Sequence, residues 1–291
     1  MPVDLAQFKR GLIYRDQASS TQLFASLDQI REFDHSIERT KRNITWTMII
    51  AILAGLGSVL AIVFLKQAIL VPIPILCGIV FVAAIIYRVR IRKLDLQNRR
   101  YELLCELTDM LSRDMPKDAP FDLTLDLAPL NETRKKSRQG KVAGWDVTYF
   151  EDPWLSLEGR FVDGTAFEIA MVDRHQARKK WAKSSSGKSK LKTKSKTATV
   201  ASVSLFPKQK KYSNLDQVVH RTEQLLRLPD WVRAKKVSGD ADKLRVVAVT
   251  SEQWSVRKHD PKTKFDGTEV VVTMLLSLYQ VLHTAKAVAK S

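Results

Sequence analysis

Residues Asn43–Leu65 hold no Asp, Glu, Lys or Arg, and neither do Gln67–Tyr87; Lys66 alone separates the two runs. A helix rises about 1.5 Å per residue, so about 20 apolar residues cross a hydrocarbon core about 30 Å thick. Ile44–Leu65 and roughly Val71–Tyr87 meet that requirement. Backbone groups in lipid must be paired internally, which leaves helices as the form. The expected element is a two-span transmembrane α-helical hairpin over 44–87, with spans at about 44–65 and 71–87. Two buried helices of a soluble core fit poorly, because such helices carry charge on at least one face. The polar stretch ahead of the first run reads against a signal peptide.

Lys and Arg placement orients the hairpin. Arg39, Lys41 and Arg42 precede the first span, Arg88, Arg90, Arg92 and Lys93 follow the second, and Lys66 stands alone at the turn. Both termini are therefore expected to be cytoplasmic, in a bacterial inner membrane or a plasma membrane. Trp46, Tyr87, Arg88, Arg90, Arg92 and Lys93 are expected at the membrane interface. Ala51, Gly55, Ser58 and Ala61 would let the spans approach closely. With no Asp, Glu, Arg or His inside either span, the hairpin reads as an anchor rather than an ion path. Cys77 and Cys105 do not read as a disulfide pair, and the sequons at Asn43 and Asn131 are discounted as cytoplasmic.

Helical periodicity recurs on both sides of the spans. Leu23, Leu27, Ile30, Phe33 and Ile37 mark an amphipathic helix within an N-terminal cytoplasmic segment, 1–43. Leu94, Tyr101, Leu104, Leu107 and Leu111 mark a juxtamembrane helix within 88–117. The stripes at 20–42 and 94–112 are expected to continue the hairpin into the cytoplasm, and they offer a seam for a homo-oligomer. Met115–Pro120 ends the helix and opens a cytoplasmic domain, 118–291.

At Phe121 the period changes from 3.6 to 2, the mark of a half-buried strand. Strands are expected at 121–127, 143–150, 154–161, 165–173, 197–206 and 244–250, with a basic loop at 133–141 and helices at 214–228 and about 268–289. Asp163-Gly164 is a hairpin turn signal. Glu151-Asp152-Pro153 reads as a turn between two strands. Asp266 with Glu269 resembles a helix cap, and the uncharged run Val270–Ala285 reads as a core helix because Thr273, Ser277, Gln280 and His283 interrupt it. The expectation is an α+β fold with a mainly antiparallel sheet.

No constellation for catalysis or metal binding emerges, and no cofactor is expected. The five histidines lack metal-ligand spacing, and no Ser or Cys sits in a nucleophile context. Ala182–Ser189 (AKSSSGKS) fits a relaxed P-loop pattern. The chain around it lacks the apolar strand and the helix that would aim N–H groups at phosphate, so it reads as a chance match. Asp152, Asp163 and Asp173 read as turn or sheet-surface residues.

The charge itself is uneven. The chain holds 48 Lys and Arg against 31 Asp and Glu, a formal net charge of +17. Residues 174–212 carry no carboxylate and most of that excess. Arg174, Arg178, Lys179, Lys180, Lys183, Lys188, Lys190, Lys192, Lys194 and Lys196 form a candidate anion-binding set on a long basic β-hairpin arm, 174–196. In an extended strand, the lysines at 188, 190, 192, 194 and 196 share one face. A two-stranded ribbon up to about 30 Å long is expected, with a mobile tip at 184–189.

The simplest reading of the arm is a solvated loop. Among functional readings, anionic lipid headgroups of the membrane that anchors the chain are preferred, at about 1 kcal/mol per Lys near the surface. Nucleic acid comes next, with Trp181 as a stacking residue, followed by an acidic protein. The expected function is a membrane-anchored, non-enzymatic binding or scaffolding domain. The alternative is a tethered nucleic-acid binder, and a membrane-anchored hydrolase or ATPase is more distant.

Overall fold

The computed structural model describes residues 3–65, 71–183, 187–212, 215, 222–240 and 242–288. The chain divides into two units, Asp28–Leu96 and Met1–Leu27 with Gln97–Ser291.

The first unit is helical. Helix α2 (Ser20–Leu65) carries the stripe from Leu23 to Ile37 on its early turns, all of it buried, and enters this unit at Asp28. Helix α3 (Pro72–Ile91) begins with proline in its first turn, where the missing N–H costs least. Lys41 pairs with Asp95, an Arg88 nitrogen lies 3.9 Å from Met48 Sδ, and a Cβ on Gly55 would sit 3.5 Å from Cys77 Cβ. Contacts that move up one helix as they move down the other make α2 and α3 antiparallel. Their outer surfaces are apolar and bare: Trp46, Ile50, Leu53, Phe64, Leu76 and Ile79 are all more than half exposed. Burying such surface is worth about 25 cal/mol per Å², so leaving this much of it in water is unfavourable.

Three helical stretches among the described residues are long and apolar enough to cross a membrane: Ser20–Phe64, Pro72–Ser112 and Gly267–Ala287. The most apolar windows of the first two are only 11% and 6% buried by protein, against 50% for the third. The third belongs to a protein core, with Val271, Met274, Leu278, Val281 and Leu282 buried.

The second unit is an α+β fold around an eight-stranded antiparallel sheet, ordered β1-β2-β4-β5-β6-β8-β7 with β3 paired to β4. The strands are β1 (Ile13–Ala18), β2 (Phe121–Asp126), β3 (Lys136–Val142), β4 (Trp145–Arg160), β5 (Ala166–Lys183), β6 (Ser189–Phe206), β7 (Arg233–Gly239) and β8 (Leu244–Thr250). Its helices are α1 (Leu5–Gly11), α4 (Asn98–Ser112), the single turn α5 (Thr222–Leu225) and α6 (Gly267–Val288). Phe167, Ile169, Met171, Val203 and Val246 point to one sheet face and are buried there. Helix α6 covers that face, since its Val270 lines a small gap with Met171, Ala201 and Ala248. The Asp266 side chain accepts from the Thr268 N–H at the start of α6, the expected cap. Gly267 lies so close to the Trp254 ring that a Cβ there would come within 2.3 Å of it.

Several expectations change. Residues before Ser20 form α1 and β1 and belong to the sheet unit. The continuous helix expected over 88–117 is broken at 95–97, where the backbone is not helical. Tyr101, Leu104, Leu107 and Leu111 are buried along α4, so a self-association seam over 94–112 would need side chains the core already holds. The two strands expected around Glu151-Asp152-Pro153 are one, β4, with a register shift between Pro153 and Leu155 that accommodates the residue lacking an N–H. The basic loop at 133–141 contains strand β3. Of the helix expected at 214–228, residues 222–225 form α5 and 226–228 are not helical, while 214 and 216–221 lie outside the described residues.

Candidate anion-binding face

Side chains alternate along a strand, and directly paired residues share a face. Strands β5 and β6 pair without interruption from Ala166↔Phe206 to Lys183↔Ser189. Asp173 and Thr199 face the core, so the residues two, four and six positions outward share their side. These are His175, Ala177 and Lys179, paired with Thr197, Ser195 and Thr193. The opposite face receives Arg174, Arg178, Lys180 and Ala182 from β5. From β6 it receives Lys190, Lys192, Lys194 and Lys196.

The expected ribbon is broader than two strands. Strand β4 pairs with β5 as far as Asp146↔Lys179, and β3 pairs with β4 from Lys136↔Phe150 to Val142↔Trp145. Only residues beyond Lys179 on β5 lack a β4 partner, a reach of about 13 Å at 3.3 Å per residue rather than 30 Å. The four-stranded region supplies backbone pairing that an isolated ribbon would lack.

This register also adds groups to the cationic face. Trp145 and Tyr149 of β4 and Arg138 of β3 sit on it. The Arg138 guanidinium lies 4.5 Å from the Tyr149 ring centre, and Lys194 Nζ lies 5.8 Å from that of Trp145. Both contacts fall within cation–π range and hold cations over aromatic rings at the surface. Glu151 is the carboxylate on this face, and Arg174 binds it at 2.9 and 3.1 Å. The remaining cations have no carboxylate beside them in the strand register.

The sequence-derived set therefore separates. Arg174, Arg178, Lys180, Lys190, Lys192, Lys194 and Lys196 share one face. Lys179 and Lys183 point to the other, and Lys188 lies one residue before β6. Of the expected mobile tip, 184–186 lies outside the described residues. The P-loop-like segment runs from the end of β5 into β6, and a strand follows it where phosphate binding would need a helix N-terminus.

A second cluster lies where the core face meets this region, and sequence reading placed its acids at the surface. Arg100 of α4 is fully buried. It donates to Asp152 Oδ2 at 2.7 Å, Asp173 Oδ2 at 3.0 Å and the Asp126 carbonyl at 2.9 Å. Lys135 Nζ bonds Asp126 Oδ1 and the Ala128 carbonyl at 3.2 and 2.8 Å, and lies 2.8 Å from Asp152 Oδ1. Arg99 binds Asp173 at 3.1 Å, and Arg134 binds Asp126 at 2.9 Å. Thr199 donates to Asp173 Oδ1 and accepts from Trp254 Nε1. Trp254 in turn stacks on the buried Trp154, with ring centres 6.1 Å apart.

Burial lowers the Arg99 pKa from its ordinary value, against the opposing pull of Asp173. Glu132 also pairs with Arg134, at 2.6 Å, so four acids neutralise four bases and the cluster ties α4 to β2, β4 and β5 rather than presenting free charge. His175, beside it on β5, bonds Thr197 at 2.8 Å, and burial pushes its pKa down, favouring the neutral ring. Among the described residues, no three His, Cys, Asp or Glu side chains are placed to hold a metal ion. Compared with family models, curated proteins and solved structures, the chain matches none.

Proposed function

We propose that the protein is a membrane-anchored, non-enzymatic binding module. In this reading α2 and α3 form a two-span hairpin with both termini cytoplasmic, and the cationic sheet face binds anionic lipid headgroups. The observation that carries the reading is the segregation of Lys180, Lys190, Lys192, Lys194 and Lys196 onto one exposed face, in a chain that also bears two bare apolar helices. Anionic leaflets attract such clusters within a Debye length of about 8 Å, and tethering raises the effective concentration of even weak contacts.

Sheet connectivity supports the topology. Strand β1 precedes both helices and β2 follows them, yet the two pair from Ile13↔Asp126 to Ala18↔Phe121. Residues 28–96 thus leave one sheet and return to it, which permits only an even number of membrane crossings. The excess of Lys and Arg on that side supports reading it as cytoplasmic. Single cysteines at Arg10, Lys66 and Lys262, with Cys77 and Cys105 replaced by serine, check this in intact cells. Labelling by an impermeant maleimide is expected at Lys66→Cys alone; labelling at either of the other two positions would refute the hairpin.

For the ligand, the full chain in zwitterionic phosphatidylcholine nanodiscs is expected to co-float with vesicles containing a third phosphatidylglycerol. It should not co-float with pure phosphatidylcholine vesicles, and high salt should abolish binding. Equal binding to both vesicle types would reject the headgroup reading. Trp145 and Tyr149 among the cations favour a second reading, single-stranded nucleic acid, because aromatic rings on a basic sheet can stack bases. Tight, steeply salt-dependent binding of an oligonucleotide without vesicle binding would select it.

A further inference from the structure

Trp181 and Leu191 are direct cross-strand partners near the outer end of the β5–β6 hairpin. They share the face opposite the lysine row, and both are exposed, at 67% and 42%. Apolar side chains gain by leaving water, so an exposed indole and an exposed isobutyl group paired across two strands call for a partner. Here the pair lies beyond the end of β4. Basic residues surround it: Lys179 and Lys183 flank Trp181 on the same face, and Lys180, Lys190 and Lys192 project from the other.

We propose that Trp181 and Leu191 form a wedge that inserts into the interfacial layer of an anionic membrane leaflet. The wedge rests on the headgroup reading above and adds to it an orientation: the hairpin enters the leaflet end-on, so that lysines of both faces meet headgroups while the pair reaches deeper. Indole rings partition to the headgroup level, where their apolar body meets acyl chains and their N–H stays hydrated. Leu191 beside the ring favours acyl chains over a nucleobase, because its branched aliphatic surface gives a base no flat plane to stack on. The flanking lysines reach phosphates while their stems lie along the apolar layer. Charge complementarity thus selects the partner: a chain segment without carboxylates, with an apolar pair near its outer end, matches an anionic lipid surface.

The test uses the full chain in phosphatidylcholine nanodiscs, mixed with phosphatidylglycerol-containing vesicles whose acyl chains are brominated. Bromine quenches only indoles that reach the acyl region, and comparison with Trp181→Phe isolates the emission of Trp181. That component is expected to be quenched and blue-shifted. Trp181→Ala with Leu191→Ala is expected to weaken co-flotation roughly 10- to 100-fold with an unchanged melting temperature. If wild-type nanodiscs co-float while the Trp181 component stays unquenched, insertion is refuted and headgroup binding stands. If co-flotation itself fails, both readings fall. Quenching of Trp181 by an oligonucleotide but not by brominated vesicles would assign the pair to base stacking and overturn the wedge.

Discussion

Replacing Arg100 with alanine is expected to destabilise the sheet unit by about 3–5 kcal/mol, the range for breaking a buried ion pair on one side. Arg100 is fully enclosed, and its guanidinium bonds Asp152, Asp173 and the Asp126 carbonyl. Removing it leaves Asp173 with Arg99 and Thr199, and Asp152 with Lys135, so each carboxylate keeps only part of its compensation. Transfer of a poorly compensated carboxylate into the interior costs several kcal/mol, which exceeds the gain from any local relaxation. The side chain also fills space beside Trp154, 5.2 Å from its ring centre, so truncation opens a cavity as well. Denaturant titration of the detergent-solubilised chain, followed by tryptophan emission, measures the effect. Arg99→Ala gives the comparison, because Arg99 is one-quarter exposed and water can replace part of its role. A loss below about 1 kcal/mol for Arg100→Ala would show that the cluster is not the tie between α4 and the sheet.

Reversing Lys190, Lys192, Lys194 and Lys196 to glutamate is expected to weaken co-flotation with anionic vesicles by at least about 10³-fold, from roughly 1 kcal/mol per lysine. The side chains are exposed on one strand face, so the fold should survive, and an unchanged melting temperature checks this. Specificity of face is the sharper test. Lys262→Glu with Lys264→Glu also reverses two exposed charges, but away from the strands of the arm. A loss per residue equal to that of the β6 lysines would show that net charge, not the arranged face, does the binding. Undiminished co-flotation of the fourfold variant would remove the face from consideration.

What could be read without coordinates followed the range of the forces involved. Charge-free runs and 3.6-residue stripes are local, and they marked α2, α3, α4 and α6. The change to period 2 at Phe121 marked β2, and Asp163-Gly164 marked the turn between β4 and β5, where Gly164 adopts a φ of +89°. Alternation alone placed the lysines at 190, 192, 194 and 196 on one face. Non-local pairing hid the rest. Strand β1 has six residues, and its partner lies beyond both long helices; β3 and β7 are polar sequences held by neighbours. Trp145, Tyr149 and Arg138 join the cationic face through a register that no single segment reveals. Asp152 and Asp173 carry turn and surface chemistry, and their burial is made tolerable by Arg100, helped by Arg99 and Lys135, none of them near in the chain.

The pairing of β1 with β2 also dictates an order of manufacture. The ribosome releases residues 13–18 first, but the strand that receives them emerges only after both apolar helices have been made. In the proposed topology, nascent β1 waits unpaired on the ribosome's side while the hairpin is threaded into the bilayer. An extended segment waiting with open hydrogen-bonding groups is vulnerable to proteases and to mispairing with other chains. If the hairpin inserts as proposed, completion of the sheet serves as a built-in check on insertion: a chain threaded wrongly would strand β1 across the membrane and could not close its fold.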